Sequence, residues 1–103
     1  MSLFTTTPPR SLGDPGFADH FLRLVGDGDE YGAVEVVTDL LDDGVPPQRV
    51  MIDLIAATQG RVGELWAANE WSVAREHAAT AISERALAAV SARITTRPTR
   101  RRP

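Results

Sequence analysis

The chain has 103 residues, 43% hydrophobic and 24% charged, enough apolar material for one domain with its own core, which argues against disorder of the whole chain. It contains no cysteine, so a disulfide framework, a thiolate metal site and a cysteine nucleophile are excluded together. The formal charge of −3 hides a polarised distribution: residues 1–84 carry 14 acids and 5 arginines, whereas residues 85–103 carry 6 arginines and no acid. An acidic body disfavours nucleic acid, because phosphate contacts need a basic face and only the tail offers one.

Residues 1–13 hold three consecutive threonines, two prolines and a glycine without periodicity, and are expected to be a flexible leader. They lack the basic-then-apolar order of a secretion signal, and no stretch approaches the ~18 apolar residues of a membrane span, so a cytoplasmic protein is expected. Asp14 followed by Pro15 reads as a cap with proline at the first helical position, and Phe17, Phe21, Leu22, Leu24 and Val25 line one side of the helix that follows. Gly26 and Gly28 stop it.

Asp29 and Glu30 open a second helix, with an apolar stripe of Tyr31, Val34, Val37, Leu40 and Leu41 ended by Asp42, Asp43 and Gly44. Pro46 and Pro47 start a third, whose apolar face is Val50, Ile52, Leu54, Ile55, Val62, Leu65 and Trp66. Gly60 and Gly63 lie on that helix at a cost of about 1 kcal/mol each relative to alanine, which implies that something approaches closely there. Asn69 suits a left-handed cap in the connection that follows. Ser72 caps a fourth helix with Val73, Ala74, His77, Thr80, Ala81, Leu87, Ala88 and Val90 predicted to face inward.

The expected product is an all-α domain over residues 14–93, an antiparallel four-helix bundle with short connections. Residues 94–103 are polar, basic and interrupted by proline, and are expected to be a disordered Arg-rich tail.

No enzyme signature is present: no P-loop, no GxGxxG, no nucleophile-base arrangement and no paired carboxylates of defined geometry, so a catalytic residue is not assigned. With just two histidines and no cysteine, a metal site made by protein ligands alone is not expected either. The informative constellation is Trp66 at the end of helix three with Glu76 and His77 near the start of helix four. In antiparallel helices joined by a short loop these positions share one end of the bundle. An indole face beside a carboxylate and an imidazole suits a flat, polarisable ligand rimmed by amides or hydroxyls.

The segment from Val62 to Ala79, VGELWAANEWSVAREHAA, resembles the signature of the helical domain that caps the upper face of cobalamin. Trp66, nine intervening residues and then Glu76-His77 is the spacing of the B12-dependent light-responsive transcriptional regulators, with the caps of corrinoid methyltransferases more distant. The resemblance implies a cobalamin-binding cap in a regulatory or carrier setting, with adenosylcobalamin favoured over methylcobalamin and Trp66, Glu76 and His77 as the cofactor contacts. It also implies an α/β cobalamin domain, in a second domain or a partner, to hold the lower face. The lower-axial motif Asp-x-His-x-x-Gly does not occur in this chain, and His20 has none of it around it, so no cobalt ligand is carried over. Where some light-responsive members have a histidine directly after the tryptophan, this chain has Ala67, which argues against a cap histidine on cobalt. The alternative is a protein-interaction bundle that docks on a partner through the Trp66/Trp71 end; a homo-oligomer is compatible with either.

Overall fold

The computed structural model describes residues 12–14 and 16–96; the earlier part of the leader, Pro15 and the tail from Arg97 onward lie outside the described residues. Four helices follow one another through short turns, and each boundary has a local cause. α1 (Phe17–Gly26) begins behind Gly16, whose φ of 86° is a left-handed conformation natural to glycine. The cap position is therefore held by Gly16 and not by Asp14, whose carbonyl accepts the Phe17 N–H at 3.2 Å. α2 (Glu30–Asp42) has the expected cap, with Asp29 Oδ1 accepting the Gly32 N–H at 2.9 Å, and it ends before Gly44 at φ 96°.

The third helix, α3, spans residues 47–67 with Pro47 at its first position, as its sequence predicts. It is not uniform. A short α-helical turn, Pro47–Arg49, leads into a π-helical segment, Val50–Ala56, and then into regular α-helix, Ala57–Ala67. Asn69, at φ 64°, turns the chain, and Ser72 Oγ accepts the Arg75 N–H at 3.1 Å to start α4 (Val73–Thr96). α4 thus runs past the boundary expected after Arg93.

α4 packs against the three other helices. Arg85 meets Glu30 at 3.4 Å and Arg93 meets Asp42 at 2.9 Å, in the same order along both helices, so α2 and α4 run in the same sense with α1 and α3 opposed to them. This is the antiparallel four-helix bundle. Its core joins Phe17, Phe21 and Val25 of α1, Ala33, Val37, Leu40 and Leu41 of α2, Val50, Leu54, Ile55 and Val62 of α3, and Ala79, Ile82, Ala86 and Val90 of α4. Leu12, in the expected leader, is partly buried against it.

The inward face of α4 differs from the one its sequence suggests. Val73, Ala74, His77, Ala81, Leu87 and Ala88 are exposed, and the buried row is Ala79, Ile82, Ser83, Ala86 and Val90, with Thr80 half-buried. Alanines occur all round this helix, so the apolar pattern has little contrast, and packing settles the phase. Tyr31 (78% exposed) and Ile52 are likewise outside the core, displaced by Ala33 on α2 and by the π-helical phase of α3.

Thr58 is a core residue whose hydroxyl has no hydrogen-bond partner at 2% exposure. An unpaired buried hydroxyl costs on the order of 1 kcal/mol or more, and valine has nearly the same shape. Thr58→Val is therefore expected to stabilise the bundle by about 1 kcal/mol in urea denaturation at unchanged m-value.

Candidate functional site

The α3–α4 pair is registered by polar side chains that meet across it. Gln59 Nε2 donates to Thr80 Oγ1 at 2.7 Å, and Ser83 Oγ donates to Gln59 Oε1 at 2.9 Å. Trp66 lies seven residues beyond Gln59, two turns on and nearly the same azimuth, about 10 Å further along α3. Glu76 and Val73 stand one and two turns back from Thr80 on α4, so the antiparallel register brings Trp66 level with residues 73–76. The sequence-predicted residues do share one end of the bundle.

Their exposures differ in a useful way. Trp66 is 49% exposed, so about half of the residue is open to solvent. The Glu76 side chain is 25% exposed and the His77 side chain 77%, with His77 Nδ1 lying 3.0 Å from Glu76 Oε1. Glu76 Oε2 accepts the Thr80 hydroxyl at 3.0 Å, so the carboxylate is engaged on both oxygens, one toward the helix pair and one toward the imidazole. Gly60 and Gly63 leave α3 bare at their positions, Gly63 one turn before Trp66: a Cβ at either would meet nothing within 4 Å. The close approach that their cost implies is thus not made by any described part of this chain.

Trp71 has a different role from Trp66. It packs partly buried against the core, and Arg75 stacks over its ring at 4.2 Å to the centroid. Arg75 also donates through Nε to the Gly26 carbonyl at 2.9 Å and approaches Asp27 at 3.6 Å, tying the start of α4 to the end of α1. A Cβ on Gly26 would fall 2.6 Å from the Trp71 ring, so that glycine is required by contact. Trp71 is taken up internally, which leaves Trp66 as the tryptophan of this end that is open to a ligand or partner.

Sequence reading did not single out Gln59 and Ser83, or Thr80 beyond an inward position, or the Gly26–Arg75 link. The spacing of Glu76, Thr80 and Ser83, four and then three residues apart, was the available signal for the first group: it marks a polar row along one side of α4. Nothing local marks the second. Among the described residues, no cluster of three histidine or acidic side chains is placed to hold a metal ion, and no helix is long and apolar enough to cross a membrane.

The model of the B12 binding domain family matches residues 18–91, which cover nearly all of the four helices. The chain belongs to this family. No curated protein matches it. For a B12 binding domain the implied cofactor is a corrinoid, and the residues at the Trp66 end fit one. They offer a flat apolar face at Trp66, hydrogen-bonding groups at Glu76 and His77, and, one turn before Trp66 on α3, an open Gly63 that a broad ring system can approach.

Proposed function

We propose that the chain is a non-catalytic helical cap covering the upper axial face of adenosylcobalamin, in a cytoplasmic regulatory or carrier setting such as transcription regulation. The lower face would be held by an α/β cobalamin domain, supplied in a second domain or by a partner protein. Trp66 would lie against the axial group, with Glu76 accepting hydrogen bonds from its hydroxyls and His77 reaching the group or the amide rim. The bound corrinoid would supply the organometallic chemistry; the chain's own residues would shield, orient and report on its upper face.

The observation that carries this reading is the half-exposed Trp66 at the level of Glu76, one turn from a bare Gly63, in a chain of the B12 binding domain family. Adenosyl is favoured over methyl because two polar side chains at one spot match a ligand with hydroxyl and ring-nitrogen groups, and a methyl group offers neither. The exposed Trp66 and Val73 would also serve a protein-docking role, and in this reading the docked protein is the α/β domain itself.

The test is a visible-absorption titration of adenosylcobalamin in the dark with the full chain, alone and with a separate α/β cobalamin domain added. Weak uptake alone and a tight ternary complex are expected, since the α/β half would make most of the corrin contacts. No association in either format would leave the cap reading without support.

A further inference from the structure

The hydrogen bonds between α3 and α4 form a relay with one direction. Ser83, buried at 4% exposure, donates its hydroxyl to Gln59 Oε1; Gln59 Nε2 donates to Thr80 Oγ1; Thr80 donates to Glu76 Oε2. A carboxylate can only accept, so it claims the single proton of the Thr80 hydroxyl. Thr80 must then accept from its other neighbour, which turns the amide nitrogen of Gln59 toward it and the amide oxygen toward Ser83. The reverse amide orientation would put an acceptor against Thr80 and draw its proton away from Glu76. Four side chains on two helices are thereby fixed in one arrangement that ends on the residue of the proposed ligand contact.

We infer that Gln59 and Thr80 are positioning residues for Glu76, and that through it they set the preference of the site for a corrinoid whose upper group carries hydroxyl donors. This rests on the cap reading above. Thr80 holds Oε2 against the helix pair, and Oε1, 3.0 Å from the exposed His77 on a side chain that is 25% exposed, keeps a second lone pair for a donor on the ligand. Without the Thr80 hydroxyl the carboxylate loses its hold on Oε2 and keeps the His77 approach on Oε1, from an imidazole that is itself exposed, so a ligand must order it on binding. A methyl group makes no hydrogen bond to Glu76 and gains nothing from the relay.

The experiment compares Thr80→Val, which keeps the shape and removes the hydroxyl, with Thr80→Ser, which keeps the hydroxyl. Each is titrated as the full chain, with the α/β domain present, against adenosylcobalamin and methylcobalamin; the Gln59 side-chain amide protons are followed by NMR without ligand. Thr80→Val is expected to shift the Gln59 amide resonances and weaken adenosylcobalamin about tenfold. Thr80→Ser should restore binding to within about twofold, and methylcobalamin should change by less than about twofold throughout. In a Glu76→Ala background Thr80→Val should add no further loss. The inference is overturned if wild-type chain binds and Thr80→Val binds adenosylcobalamin equally well, or if the loss is the same for both corrinoids and persists without Glu76. If wild-type chain takes up neither corrinoid, the cap reading itself has failed and the positioning role falls with it, a result separable from the others because the amide resonances still report the relay.

Discussion

Trp66→Ala is expected to weaken adenosylcobalamin binding roughly 30- to 150-fold, the effect of removing a central aromatic contact worth about 2–3 kcal/mol. The fold should hardly notice. Trp66 is 49% exposed and stands outside the core cluster, so little buried area is lost when its side chain goes. Unfolding free energy is expected to move by less than about 1 kcal/mol, with the helical circular dichroism unchanged. Ile52→Ala is the matched control: Ile52 is another exposed large apolar residue of α3, about 20 Å along the helix from Trp66, and its truncation should leave affinity intact. If Trp66→Ala binds as wild type, the indole is not the ligand contact. If affinity and stability fall together, Trp66 is a packing residue and the outward site is misplaced.

The second large effect is on stability. Gly26→Ala puts a methyl group 2.6 Å from Trp71 and 3.0 Å from the Arg75 guanidinium, and the ring cannot give way easily because it is packed against the core and covered by Arg75. Overpacking of this kind costs about 1–3 kcal/mol, and here it should also break the Arg75 hydrogen bond to the Gly26 carbonyl. A loss of about 2 kcal/mol is expected in urea denaturation, together with a shifted Trp71 indole resonance. The cause can be isolated by a double-mutant cycle with Trp71→Leu, which vacates the space the new methyl group needs. The penalty should then shrink by at least half; a full penalty without the ring would show that the glycine is needed for the backbone and not for contact.

The parts of this fold that are written in local chemistry were legible. Asp29, Pro47, Asn69 and Ser72 each act where the sequence places a cap or turn, since capping depends on a side chain and the few backbone groups beside it. The first cap was misread because Gly16 intervenes with a left-handed φ, and the aspartate-proline pair gives no sign of that. The face of α4 was misread for a different reason: alanine is equally at home inside and outside, so this helix is phased by its neighbours. At the site, Trp66 comes level with the adjacent Glu76 and His77 because one short turn joins their helices. Gln59 was invisible because a glutamine in mid-helix looks like a solvated one until the partner helix is in place. Gly26 is paired with Trp71 across a gap in sequence that no periodicity spans.

The π-helical stretch Val50–Ala56 near the start of α3 has a consequence for how this family can vary. A hydrogen bond from residue i to i+5 accommodates one residue more than the ordinary i to i+4 bond, so the stretch acts as a stored single-residue insertion. Everything after it, including Gln59, Gly63 and Trp66, keeps the azimuth it would have on a plain helix one residue shorter. A member of the family lacking one residue here, at exposed Ile52 or Asp53, can therefore thread the same bundle and present the same face to a ligand. Length differences in this segment are compatible with an unchanged site, whereas a one-residue deletion between Gln59 and Trp66 would swing the indole by about 100° and remove it from the face it shares with Glu76.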